Sequence, residues 1–282
     1  IITGENEQGI TYAVAGLALA EKLPHVFEQS RALNTLGTAY INLKQYDEGI
    51  NYFERAAMLN KNHGNIGLMG RAYANKGVAY SRQGNTGKAL ESYQAAQQAW
   101  LDSGDKKGVA AMYSEIGFIY GSRNLMEDAI RNFEASLPIY EELNDKKGIA
   151  RNCNNIGRAY QQLGEYPKAL EYLERSLKLS EEIGYTQNIP NACTNIGVIY
   201  SLQGQPQKAI PYYEKAFNIS EKAGDKKGMA YALKNIAAVY GNTGNMDTSL
   251  AINLRAISLF EETGERLQVA DVYNNMGANY RS

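Results

Sequence analysis

The amino-acid sequence predicts an all-α chain of stacked helix pairs, and three observations carry that prediction. A segment ending in tyrosine returns at Tyr40, Tyr80, Tyr120, Tyr160, Tyr200, Tyr240 and Tyr280, a forty-residue period without insertion or deletion, and self-similarity of this kind marks a repeat architecture. Three residues before each tyrosine stand Gly37, Gly77, Gly117, Gly157, Gly197, Ala237 and Gly277. A second set keeps the same register: Gly84, Gly164, Gly204 and Gly244 mark a turn, and Ala89, Ala129, Ala169 and Ala209 follow it. Lys44 and Asn124 stand where two copies lack the turn glycine, so this turn is expected to tolerate ordinary residues.

Within one unit, Ile149, Cys153, Ile156 and Tyr160 recur at i, i+4, i+7 and i+11, one face of a first helix. Gly164 lies just beyond it, where a left-handed cap favours glycine. A second helix turns Ala169, Leu170, Leu173, Leu177 and Ile183 inward and Lys168, Glu171, Arg175, Lys178 and Glu182 to solvent, ending near Gly184. The phrase "GDKKG" at Gly104 and Gly224, and "NDKKG" at Asn144, then places an aspartate to cap the next first helix. The repeated lysines therefore need no phosphate to explain them. In this register residues 1–24 are the second helix of a truncated repeat, with residues 10–23 the aligned part. Full repeats span 25–64, 65–104, 105–144, 145–184, 185–224 and 225–264, and 265–282 is a first helix, about fourteen helices in all. Leu17, Leu19, Tyr273 and Met276 at the two ends are expected to be partly bare. Solenoid ends normally carry polar caps, so the chain is expected to be part of a longer one or to form a homodimer through its apolar ends.

Composition excludes several function classes. A net charge of -1 gives no global field for nucleic acid or an anionic membrane surface. The nearest thing to a membrane span, Thr11 to Ala20, is ended by Glu21 and Lys22 after too short a run. It has no basic leading region to make it a signal peptide. Two cysteines, Cys153 and Cys193, are too few for a disulfide framework, and the expected setting is cytoplasmic. "GNTGKAL", Gly84 to Leu90, imitates the end of a phosphate-binding loop, but Arg82 replaces its first glycine and Ala89 its Ser or Thr. His25 and His63 lie in separate turns, so neither a metal site nor a cofactor is expected. Trp100 is expected to pack at a repeat junction, and Pro138 and Pro211 to bend solvent faces of second helices. No nucleophile, base and orienting group converge, so an enzyme is not expected.

The unit "ARNCNNIGRAYQQLGEYPKALEYLERSLKLSEEIG", Ala150 to Gly184, resembles a tetratricopeptide repeat, through Gly157, Tyr160, Gly164, Tyr166, Ala169 and Ser176. Its long period is similar to that of spindle-orientation adaptors of the Leu-Gly-Asn type, kinesin light chains and bacterial signalling proteins. The resemblance implies a right-handed superhelical solenoid whose first helices line a concave groove. It also implies that asparagines at 75, 155, 195, 235 and 275 hold the backbone of an extended peptide. Asn155 shares its helix face with Arg151, Arg158 and Gln162, away from the core stripe of Ile156 and Tyr160. Equivalent positions hold Arg71, Asn75, Val78 and Arg82, then Asn191, Asn195, Val198 and Leu202, then Tyr231, Asn235, Ala238 and Asn242. An amide that donates and accepts together can grip a peptide group; a bond to the neighbouring repeat, or solvation, also accounts for it. Thr35 and Glu115 interrupt the ladder. The candidate groove residues are thus Arg71, Asn75, Arg82, Arg151, Asn155, Arg158, Asn195, Lys234, Asn235 and Asn275. Their basic lean suits an acidic or carboxylate-bearing protein or peptide partner. Lys76 replaces the core Ile116, Ile156 and Ile196, either passing its stem along the core or meeting a ligand carboxylate. Two functions fit: a peptide-binding scaffold, or the regulatory arm of a longer signalling enzyme or transcription regulator acting by self-association or interdomain contact.

Overall fold

The computed structural model describes residues 2–22 and 25–279, with side chains from residue 9 to residue 277 of these. Tyr280 and Ser282 lie outside the described residues. Fourteen α-helices, and no strand, occur among those described. They divide into two compact units, residues 1–143 and 144–282.

The first unit holds α1 (Ile2–Ala20), α2 (Val26–Asn42), α3 (Tyr46–Asn62), α4 (Ile66–Gln83), α5 (Thr86–Ser103), α6 (Lys106–Ser122) and α7 (Met126–Glu142). The second holds α8 (Lys146–Gln162), α9 (Tyr166–Glu182), α10 (Ile189–Leu202), α11 (Pro206–Lys222), α12 (Lys226–Asn242), α13 (Met246–Glu262) and α14 (Arg266–Asn279). Within each unit every helix packs against the next, and first helices also touch one another, as α2 with α4 and α8 with α10.

The repeated glycine is explained by what faces it sixteen residues on. A Cβ at Gly37 would lie 2.5 Å from the Phe53 ring, and one at Gly77 or Gly197 would lie 2.5 Å from Tyr93 or Tyr213. At Gly157 it would meet Leu173 Cγ at 2.6 Å. The missing side chain therefore lets a bulky residue of the second helix seat against the first helix. Where the glycine becomes Ala237, the facing residue becomes the buried Asn253, and Ser249 Oγ donates to the Ala237 carbonyl oxygen at 2.8 Å. Small and large residues thus exchange together.

Caps and turns complete the pairs. Asp105, Asp145 and Asp225 accept from the backbone N–H of Gly108, Gly148 and Gly228 at 2.9, 3.0 and 2.9 Å, as the repeated phrase predicts. Its lysines pair across the repeat, among them Lys106 with Glu142, Lys227 with Glu265, and Lys226 with Glu262 at 2.7 Å. The turn itself does not relax where glycine is absent. Lys44 and Asn124 take φ of 63° and 61°, against 76° at Gly164, so two L-residues adopt the left-handed conformation at a cost of about 1 kcal/mol each. Tyr40 stacks on Tyr52, Tyr160 on Tyr172 and Tyr200 on Tyr212, with ring centroids 5.4 to 5.9 Å apart. Lys168 and Lys208 sit over the rings of Tyr160 and Tyr200 at 5.0 and 5.5 Å, closing that edge of the pair.

Candidate functional site

In the first unit, Arg71, Asn75 and Arg82 fall at i, i+4 and i+11 along α4, and this face looks onto α2. Asn75 Nδ2 donates to Asn34 Oδ1 at 2.8 Å, and Arg82 Nη1 to Asn42 Oδ1 at 3.3 Å. Beside this seam lies an open groove of about 480 Å³, lined among others by Phe27, Arg31, Asn34, Asn42, Leu68 and Arg71. Phe27 is 54% exposed, although it belongs to a helix that buries Leu33 and Leu36 on its other side. Thr35 and Thr38 also line the groove, their hydroxyls donating back to the carbonyl oxygens of Arg31 and Asn34 at 3.0 and 2.9 Å.

In the second unit, Arg151 and Arg158 are exposed on one face of α8, and Asn155 is half-buried between them. Asn195 Nδ2 on α10 donates to Asn154 Oδ1 on α8 at 3.1 Å, the same inter-repeat bridge as Asn75 to Asn34. Lys234 pairs with Asp271 and donates to Gln268 Oε1 at 3.3 Å, so its ammonium is engaged by α14. Asn235 is half-buried on α12 and Asn275 exposed on α14. The ten candidates therefore divide by role. Asn75 and Asn195 bridge successive first helices, which is the alternative the sequence left open for them, and Arg71, Arg151 and Arg158 are exposed residues on the same helix face.

The groove residues that sequence reasoning passed over are on α2: Phe27, Arg31, Thr38 and Asn42. A signal for them was present. Arg31 holds the position of Arg71 and Arg151, and Asn42 that of Arg82 and Gln162. The threonine at Thr35 hid this by interrupting the asparagine ladder.

The remaining sequence features resolve into structure. Lys76 Nζ meets Glu54 Oε1 of α3 at 2.6 Å with its side chain 19% exposed, and lies over the Tyr80 ring at 5.7 Å. Its stem therefore runs along the pair to an internal partner. The "GNTGKAL" segment forms the α4–α5 turn, where Gly84 is left-handed and Asn85 Oδ1 accepts from the Lys88 N–H at 3.2 Å. Trp100 packs against Gly70, and its indole N–H donates to the Gly67 carbonyl oxygen at 3.0 Å. His63 Nδ1 lies 2.9 Å from the Leu59 carbonyl oxygen, and His25 immediately precedes α2. Pro138 and Pro211 are exposed within α7 and α11. Cys153 and Cys193 are fully buried, and burial pushes the Cys193 thiol up to about 12.

No helix of the described residues is long and apolar enough to cross a membrane. No curated protein matches the sequence. Among solved structures, BtubC from P. vanneervenii is similar at 19% identity and a TM-score of 0.71, with 78% of this chain and 92% of that chain covered. A Signal Transduction ATPase with Numerous Domains from Pyrococcus horikoshii, which carries a tetratricopeptide repeat sensor, is similar at 19% identity and a TM-score of 0.77 over 95% of this chain. The chain spans 42% of that protein's length. A Rap protein complexed with Competence and Sporulation Factor is similar at 14% identity and a TM-score of 0.63, covering 94% of this chain and 78% of that one. At these identities the likeness is one of fold. Membership rests on the repeat pattern itself, which the tetratricopeptide repeat model matches at residues 28–102, 68–142, 108–182, 148–222 and 185–260. The chain belongs to the tetratricopeptide repeat family.

Proposed function

We propose that this chain is a non-catalytic scaffold that holds a peptide segment of a protein partner on the exposed face of its first helices. The observation that carries this reading is the groove beside the α2–α4 seam. Phe27 stands more than half exposed there, in a groove also lined by Arg71 and by the side-chain amides of Asn34 and Asn42. Exposed apolar area rimmed by polar groups is the usual mark of a binding surface. The same face of α8 offers Arg151 and Arg158 in the second unit, and its basic lean favours an acidic partner.

The test compares protein capture by the native chain with that by the triple variant Arg151→Ala, Asn155→Ala, Arg158→Ala and by Arg71→Ala. Circular dichroism confirms retained helix, and each captured protein is identified and rebound as a purified partner. Loss of the same partner in the groove variants is expected. A partner that binds every variant as well as the native chain overturns the reading.

A second reading, the regulatory arm of a larger signalling protein, is favoured by exposed apolar residues on the terminal helices. Tyr12 and Leu19 of α1 are 78% and 62% exposed, and Leu267 and Tyr273 of α14 are 84% and 52% exposed. These faces fit self-association or contact with another domain, and the tetratricopeptide sensor of the P. horikoshii protein is a fold precedent. Sedimentation separates the two readings. A concentration-dependent dimer lost in Leu267→Glu with Tyr273→Glu supports the second, and a monomer at all concentrations opposes self-association.

A further inference from the structure

The geometry points to a second docking site in the first unit, between the C-terminal ends of α5 and α7, that seats an apolar side chain of a partner protein with a lysine or arginine beside it. It shares no residue with the first-helix groove. The site begins with a break in the repeat. At one position at or near the end of each second helix the chain carries a charge, Glu21, Lys61, Glu141, Glu181, Glu221 and Glu261, except in α5, where it carries Leu101. Three of these charges reach the next second helix: Glu21 pairs with Arg55 at 3.3 Å, Glu181 with Lys215, and Glu221 with Arg255 at 3.9 Å. The position opposite Leu101 holds Ala135, so both ends of that rung are apolar. Glu21 and Arg55 line the equivalent cleft between α1 and α3. The cleft between α5 and α7, about 310 Å³, is lined instead by Trp100, Leu101, Val109 and Ile139, together with the paired Lys106 and Glu142.

The aromatic wall of this cleft is held in place. Trp100, the one tryptophan of the chain, sits on glycines of both neighbouring first helices: a Cβ at Gly70 of α4 would lie 3.0 Å from its Nε1, and one at Gly108 of α6 would lie 2.3 Å from its Cδ2. Its N–H is given to the Gly67 carbonyl oxygen at 3.0 Å, so what it offers the cleft is ring surface. Leu101 beside it is 53% exposed. Exposed apolar area around a fixed aromatic, with a polar rim, is a seat for an apolar anchor. A volume at the lower limit of ligand sites admits one side chain rather than a run of chain.

Charge selects what flanks the anchor. Asp102 follows Leu101 in the last turn of α5, and its equivalents Glu142 and Glu262 pair with Lys106 and Lys226, but Ile66 stands where those lysines do. Asp102 accepts from the neutral Gln98 amide at 2.7 Å and joins no ion pair among the described residues. It also lies at a helix C-terminus with no basic residue in its last turn, where the aligned carbonyls add negative potential. A cation next to the anchor offsets both, and a neutral or acidic flank offsets neither.

The test uses the full chain and the anisotropy of three heptapeptides, labelled at the N-terminus and amidated at the C-terminus. They are Gly-Ser-Lys-Phe-Lys-Ser-Gly, the same peptide with Ala in place of Phe, and the same peptide with both Lys replaced by Gln. Unlabelled peptide is added in parallel while the emission of Trp100 is followed, excited where tyrosine does not absorb. The first peptide is expected to bind at least about tenfold more tightly than the alanine peptide and about threefold more tightly than the glutamine peptide, the modest gain of an exposed charge. It should also shift the Trp100 emission. Leu101→Gln should lose the preference for Phe and Asp102→Asn the preference for Lys, while Arg71→Gln loses neither. Both cleft residues are exposed, so the variants should keep the native helix content, which circular dichroism checks. Equal binding of the Phe and Ala peptides, binding that leaves Trp100 emission unchanged, or a preference that survives its variant overturns the inference. So does failure of every peptide to bind, and so does a dimer of the native chain that Leu101→Gln abolishes in sedimentation, since a second copy then covers the cleft. The first-helix groove is decided separately, by its own partner-capture experiment.

Discussion

Replacing Gly157 by alanine tests whether the repeat phrase is dictated by packing. A Cβ there would lie 2.6 Å from Leu173 Cγ and 2.9 Å from the Ala169 carbonyl oxygen, well inside the ~3.5–4.0 Å of ordinary contact. The carbonyl belongs to a helical backbone and cannot swing aside, and Leu173 is fully buried, so moving it disturbs its whole cluster. Overpacking of this kind costs about 1–3 kcal/mol. Against it stands the roughly 1 kcal/mol by which alanine is the better helix residue. The balance is a net loss of up to about 2 kcal/mol. Gly16→Ala is the control, because that glycine is exposed within α1 and has nothing within 4 Å of an added Cβ. There the propensity acts alone and should stabilise by about 0.5–1 kcal/mol. The assay is urea unfolding followed by circular dichroism, with amide exchange of α8 and α9 to localise the effect, since a repeat array need not unfold as one unit. In the double variant with Leu173→Ala the Gly157→Ala penalty should shrink by at least about 1 kcal/mol. A Gly157→Ala chain that gains stability as Gly16→Ala does refutes the packing argument.

Other outcomes follow from the same structure. Because burial raises the Cys193 thiol from an ordinary 9.0 to about 12, the native chain should resist a thiol reagent at about pH 8 and react once unfolded in urea; native-state reaction at the unfolded rate contradicts this. The folded value lies above the unfolded one, so this thiol's contribution is intact below about pH 9 and lost as the pH rises toward 12. Stability to urea should accordingly fall over that alkaline range, and less so in Cys193→Ala. Lys76→Ile, which restores the residue found in other repeats, removes an ion pair whose lysine is 19% exposed and leaves Glu54 half solvated. It should be neutral or stabilising by up to about 1 kcal/mol, and a loss of more than that in thermal unfolding would show that the pair holds α3 to α4.

By itself the sequence determined the number of helices, their pairing and their caps. Each depends on a local rule that recurs along the chain: a period that sorts inward from outward residues, an aspartate three residues before the N–H it receives, a small residue beside a bulky one. Such rules act over at most one helix pair, so a forty-residue self-comparison contains them. What only tertiary structure decided is how polar groups on successive first helices find each other. The sequence leaves Asn75 and Asn195 open between gripping a peptide and bonding the neighbouring repeat, and both are committed to a partner forty-one residues away. Lys234 looks like a groove cation and is engaged by Asp271. Lys76 looks like an intrusion into the core and reaches Glu54. The groove lined by Phe27 and Arg71 depends on the spacing of α2 and α4. A hydrogen bond is set by distances of a few tenths of an ångström between helices, and no periodicity along one chain encodes that.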